Sequence, residues 1–254
     1  MTERKRLTVA AFTVGWLVIA SGTAGAVVAI GHGGSKSGTA AAAAVPSATP
    51  SSSPSSSASA TPSPSPTTTT TTVPPTTPSP TSTVTGSVGP GLTHKGDLRF
   101  FLLAVPSDGS VIGDPDGQTL AKADIAGNYS NSKEVTSILG ELGFKGGATR
   151  DYQTGDAKFH VVTTLMQFGS ASNAKLWFQG DQPPSDWKSV KVSSPSGATA
   201  YSIVDKSTNL ETLRGLYYRG DVVFEILVVG EPTVDPAVLA DRLNKQLDRL
   251  STGK

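Results

Sequence analysis

Between Ser35 and Gly91 the chain runs through a Ser/Thr/Pro/Ala tract, SSSPSSSASATPSPSPTTTTTTVPPTTPSP at its heart, with almost no charge beyond Lys36 and no aromatic residue. Such a segment cannot bury enough apolar surface to offset its ordering entropy, so it is predicted to be disordered. It divides the chain. The segment before it is short and apolar, and the segment after it has the composition of a folded domain. Its Pro-rich part, Pro46–Pro80, favours polyproline II at about 3.1 Å per residue, so the tract is expected to reach well over ~100 Å. It reads as a spacer open to O-glycosylation on Ser/Thr, or as a plain solvated linker.

Ahead of the tract, Arg4, Lys5 and Arg6 precede an uncharged apolar stretch, Leu7–Ile30. As a helix this spans about 36 Å, against roughly 30 Å for a bilayer's hydrocarbon core. Basic residues before the stretch put the N-terminus in the cytoplasm and everything after Gly31 outside. The alternative is a cleaved signal peptide with Ala24-Gly25-Ala26 as its cleavage site and a secreted product. Val27–Ile30 extends the apolar run past that site and favours retention. The expected organisation is a cytoplasmic tip (residues 1–6), a transmembrane signal-anchor (7–30), a disordered stalk (31–95) and an extracytoplasmic domain (96–254). A six-residue tip is too short to fold, so any inward signal is expected to pass through a separate membrane partner.

From Gly96 onward, aromatics, charges and periodic apolar residues appear together. The length suits one domain with a single core. Residues 96–254 carry 16 Lys/Arg and 19 Asp/Glu, a net of about −3. That leaves no basic footprint for nucleic acid or for anionic wall polymers. The chain has no cysteine. Disulfides and a cysteine-linked lipid anchor are thereby excluded, and with no clustered histidines no metal or cofactor site is predicted.

Asp97–Val105 is an apolar segment, helix or strand, ended by Pro106. Ser107–Gly117 reads as loop, with turn chemistry at Asp114-Pro115-Asp116-Gly117. Thr119 is placed to cap a short helix over 120–126. Asn131 and Glu134 open a second helix, with Val135, Ile138, Leu139 and Leu142 on its apolar face and Gly143 at its end. Ala148–Gln153 and Lys158–Phe168 flank a turn at 154–156. A helix bearing Ala171, Ala174, Trp177 and Phe178 comes next, then strands at Trp187–Val192 and Ala198–Asp205. The clearest hairpin joins Thr212–Arg219 to Val222–Val229 through Gly220-Asp221. Asp235 and Pro236 start a closing helix with a Leu239, Leu243, Leu247, Leu250 stripe. The predicted class is α+β, an antiparallel sheet of about five or six strands with several packed helices.

Candidate sites each carry a plainer reading. His160 sits on the 158–168 strand with no nucleophile motif to activate, so a catalytic role is outweighed by a half-buried structural one. Asp114 and Asp116 lack the spacing of a calcium loop and read as a turn. Arg219-Gly220-Asp221 spells an integrin-type tripeptide that a hairpin tip would expose, but Gly-Asp is also what a tight turn requires. Trp177, Trp187, Tyr217 and Tyr218 read as core before they read as a ligand pocket. Glu225 shares a strand face with Val223, Leu227 and Val229, where an unpaired carboxylate is costly. A two-residue turn sets Leu216 opposite Glu225 and Arg214 diagonal to it. The inference is a cross-strand Arg214–Glu225 ion pair holding the register, so that Glu225→Gln costs more stability than a surface change. No catalytic, cofactor or metal residue is assigned.

Asp97-Leu-Arg with Pro106, Leu142-Gly-Phe-Lys-Gly-Gly147, Arg150-Asp-Tyr152, Phe168-Gly-Ser-Ala171 with Ala174, and Tyr218-Arg-Gly-Asp-Val222 occur in that order before the Leu-rich helix. In this the chain resembles membrane-anchored or secreted proteins of actinomycete (high-GC Gram-positive) bacteria over most of Asp97–Leu250. Strand–helix order alone carries a more distant resemblance to lipoprotein domains of the PsbP/Mog1-like α/β/α sandwich type. The first resemblance implies an envelope location and an α+β domain, and neither implies an activity. The expected function is non-enzymatic: an extracytoplasmic module that binds or scaffolds an envelope protein, lipid or glycan. The alternatives are a sensor or accessory subunit working through a membrane partner, and a cell-wall hydrolase.

Overall fold

The computed structural model describes residues 83–254 and, before them, only Phe12 and Thr13. The elements in chain order begin with β1 (Phe12–Thr13), β2 (Gly86–Gly89), β3 (Thr93–Gly96), β4 (Ser110–Ile112) and β5 (Gln118–Leu120). Next come α1 (Lys122–Gly127), α2 (Ser132–Glu141), β6 (Gly146–Gln153), β7 (His160–Gln167), α3 (Ala171–Gly180), β8 (Asp181–Gln182) and β9 (Lys188–Ser189). The last four are β10 (Thr199–Asp205), β11 (Leu210–Arg219), β12 (Val222–Gly230) and α4 (Pro236–Thr252). Among the described residues the fold is α+β, with four α-helices on antiparallel sheet. Of the predicted membrane span 7–30, all but β1, which pairs parallel with β8, lies outside the described residues. The predicted stalk does too, up to residue 82. No helix among the described residues is long and apolar enough to cross a membrane.

One eight-stranded sheet forms the body, in the order β4-β6-β7-β12-β11-β10-β9, with β5 beside β4 on the same edge of β6. Five of these strands are long and match the expected count. The other three, β4, β5 and β9, raise it to eight; each has only two or three residues, too few to show alternation in sequence. β4 lies inside the segment expected to be loop. β9 is all that forms of the strand expected over 187–192. Thr119 lies in β5 rather than capping a helix. Helix α1 starts later, at Lys122, where the Asp124 carboxylate accepts from the Ala121 N–H at 2.7 Å.

Pleating sends alternate residues to two cores. On one face, Leu213, Phe224, Ile226 and Leu165 pack against Leu239, Leu243 and Leu250 of α4 and against Phe101–Leu103. On the other, Leu216, Val223, Met166 and Phe168 meet α1–α3 through Ile125, Val135, Leu139 and Trp177. Asp235 caps α4 by accepting from the Ala237 N–H at 2.8 Å, and Gly253 ends it in the left-handed region. Gly215 is the strand residue beneath α4; a Cβ there would lie 2.9 Å from Leu243 Cδ1, so glycine lets the helix approach.

Asp97–Val105 is neither regular helix nor strand. After a 3-10 turn over Leu98–Phe101 it runs irregularly between β6 and α4. A buried irregular backbone needs outside donors. Here Gln246 donates to the Phe101 carbonyl at 2.8 Å, Arg249 Nε to the Phe100 carbonyl at 3.0 Å, and Arg150 to the Leu103 carbonyl at 3.2 Å.

The disordered boundary expected at residue 95 is also corrected. β2 and β3 form a hairpin, pairing Val88 with His94, and Val88 packs on the first core. Its sequence, GSVGPGLTHKG, offers no apolar alternation; its placement depends on contacts distant in the chain.

Candidate functional site

Among the described residues, the most concentrated buried charge lies where α3 meets the sheet. β11 and β12 pair Leu216 with Glu225 and Arg214 with Leu227, which brings Arg214 diagonally to Glu225. Arg214 Nε donates to Glu225 Oε2 at 2.8 Å, and Nη2 lies 2.6 Å from the same oxygen. The structure adds a third member that the sequence does not announce. Gly180 ends α3, and Asp181 immediately after it receives Arg214 Nη2 at 2.5 Å. All three side chains are buried, at 1%, 0% and 5% exposure for Arg214, Asp181 and Glu225. Asp181 has no sequence signal, since it meets Arg214 across 33 positions of chain through the packing of α3 on the sheet.

One guanidinium therefore serves two carboxylates. Burial acts to lower the Arg214 pKa, but Asp181 and then Glu225 more than reverse this and raise it. Glu225 moves up to about 7, chiefly through burial and with help from Asp181, because Arg214 offsets only part of the cost. Burial, then Asp181, raises the pKa of the neighbouring Tyr129 hydroxyl. The Tyr129 ring stands edge-on to Trp177, with centroids 5.8 Å apart.

A second polar centre closes the β11–β12 turn. Asp221, expected at an exposed tip, is 3% exposed, and its Oδ1 lies 2.7 Å from His94 Nδ1. The His94 N–H donates to the same oxygen at 3.1 Å, and Gln167 donates to Oδ2 at 2.9 Å. Burial pushes the Asp221 carboxyl up, but the hydrogen bonds from His94 and Gln167 outweigh it and hold the group below its ordinary value. The integrin-type reading of Arg219-Gly220-Asp221 is thereby overturned: its carboxylate is occupied from within. Gly220 has φ +57°, and a Cβ on it would sit 1.8 Å from the Leu92 carbonyl oxygen. Gly220→Ala is therefore expected to cost about 1–3 kcal/mol and to displace the β2–β3 hairpin, measured by chemical denaturation and by loss of amide protection over 86–96. Unchanged values for both would refute the close approach.

The other candidates stay apart from these centres. His160 is half-buried on β7, with Nε2 3.6 Å from Asp151 Oδ2. Asp114 accepts from the Asp116 N–H at 2.8 Å and from the Gly117 N–H through its carbonyl, which is a turn. No group of three or more His, Cys, Asp or Glu suited to a metal occurs among the described residues. Trp177 is core, whereas Tyr217 and Tyr218 are half-buried around Phe178, with ring centroids 5.9 and 5.2 Å away. Trp187 is half-buried ahead of β9 and belongs to neither hydrophobic core.

No protein-family model matches the chain. No curated protein matches it. Among solved structures it is similar to the extracellular domain of PknH from Mycobacterium tuberculosis, at 12% identity over 56% of this chain and 81% of that one, with a TM-score of 0.36. Likeness of that degree carries no functional weight.

Proposed function

We propose that this protein is an extracytoplasmic, non-enzymatic module of a bacterial cell envelope, held by Leu7–Ile30 and displayed on the Ser/Thr/Pro tract, where it binds or scaffolds an envelope protein, lipid or glycan. One observation carries the reading: a basic tip, a long uncharged apolar stretch and a low-complexity tract precede an α+β domain in that order. The domain's own chemistry supports it. Its buried charges face one another across element boundaries, which suits joining α3 and the N-terminal hairpin to the sheet rather than turning over a substrate.

The test is made in an actinomycete host. Full-length protein is expected in the membrane fraction, with the domain cleaved by protease added outside intact cells. Recovery in the cytosol, protected from protease, would refute the reading. In-cell crosslinking and mass spectrometry then separate its versions. One specific membrane protein recovered makes this a sensor or accessory subunit; glycan or lipid makes it a binding module.

A further inference from the structure

His94 is held on both sides of its ring. Nδ1 faces Asp221 Oδ1 at 2.7 Å, and Nε2 faces the Leu250 carbonyl oxygen at 2.8 Å near the end of α4. A carbonyl can only accept, and Asp221, held below its ordinary pKa, is an ionised acceptor as well. Both ring nitrogens must therefore donate, and only the doubly protonated ring does so. A neutral ring leaves one buried acceptor facing a lone pair. Ring and carboxylate are 4% and 3% exposed, so water does not substitute freely.

The rest of the hairpin hangs on this point. Gln167 Nε2 donates to the His94 carbonyl at 2.6 Å as well as to Asp221, so one side chain spans both partners. The Phe101 ring stands edge-on to the imidazole at 4.9 Å. Behind Asp221, Lys145 Nζ approaches Oδ2 at 3.8 Å. Among the described residues, the charged group against the ring is Asp221, from the β11–β12 turn, and Lys145, just ahead of β6, faces that carboxylate in turn.

We propose that His94 and Asp221 form a proton-held clasp: the β2–β3 hairpin is docked while the pair keeps its proton and is released when the pair loses it. Release returns about 14 residues, 83–96, to the tract before the domain, adding a reach of about 45 Å at roughly 3.3 Å per residue. That change of length matters biologically only if the tethered arrangement proposed above holds. The clasp itself does not require it.

The test is hydrogen exchange of the full-length protein by mass spectrometry from about pH 5 to about pH 9, corrected for intrinsic rates. Protection of peptides within 86–96 is expected to fall at least about tenfold as pH rises, while β7 and β12 stay protected. His94→Gln, which cannot take up a proton, is expected to abolish that slope. Asp221→Asn is expected to leave the hairpin unprotected at every pH, with protected β7 and β12 amides showing that the fold survives. Nitrogen-15 spectra of the imidazole should show both ring nitrogens protonated wherever the hairpin is docked. A hairpin whose protection ignores pH, an unchanged slope in His94→Gln, or a docked hairpin over a singly protonated ring would each overturn the clasp. None of these readouts depends on membrane attachment, so failure here is distinct from failure of the envelope reading.

Discussion

Arg214→Met is expected to destabilise the full-length protein by about 3–5 kcal/mol, enough to leave much of it unfolded. The side chain is 1% exposed and is the cation shared by Asp181 and Glu225. Methionine fills much of the volume but leaves two carboxylates buried without a counter-charge, and that residue of charge makes the change severe. The triple variant Asp181→Asn, Arg214→Met, Glu225→Gln removes the charges together and is expected to recover much of the loss. Urea denaturation midpoints of the single and triple variants are the measurement. A single variant within about 1 kcal/mol of the native protein would show that the centre has little energetic weight.

The second large effect concerns pH. Glu225 in the folded protein stands at about 7, above the ordinary 4.5. A carboxyl raised in this way binds its proton more tightly when folded. Its contribution is most favourable below about pH 4.5 and is lost as pH rises towards 7. The shift corresponds to up to about 3 kcal/mol across that window. Asp221 acts with the opposite sign: its lowered pKa favours the folded state above the ordinary carboxylate range and is lost as pH falls below it. Stability from urea melts across this range should therefore decline towards neutral pH in the native protein and run nearly flat in Glu225→Gln. Equal slopes would refute the assignment. The structure also revises what the sequence implies for Glu225→Gln at neutral pH. With Asp181 present, removing one of two carboxylates relieves an excess of negative charge, so the loss expected for a simple pair is reduced there and concentrated at lower pH.

Where local chemistry is strong, sequence and structure agree. Gly220-Asp221 marks the turn of β11–β12 and so the register that brings Arg214 to Glu225. Asp235, Pro236 and the leucine stripe mark α4. The illegible parts depend on partners distant in the chain. β4 and β9 are too short to alternate and exist because a neighbouring strand offers hydrogen bonds. The segment around Phe101 is irregular because Arg150, Gln246 and Arg249 supply its carbonyls with donors. Asp181 joins Arg214 only through the placement of a helix. His94 reads in sequence as part of a polar tract, and the contacts that bury it come from residues 167, 221 and 250.

That last contact bears on when the molecule is completed. His94 and the Leu250 carbonyl are separated by 156 positions, so the β2–β3 hairpin is secured in part by residues made long after it. During synthesis from the N-terminus, the sheet's long neighbouring strands can pair as they emerge, whereas the His94 ring has Phe101 and then Asp221 beside it but lacks the acceptor for Nε2 until α4 has formed. A chain cut short before α4 is therefore expected to leave the distant β2–β3 hairpin unsecured as well as the sheet face that α4 covers.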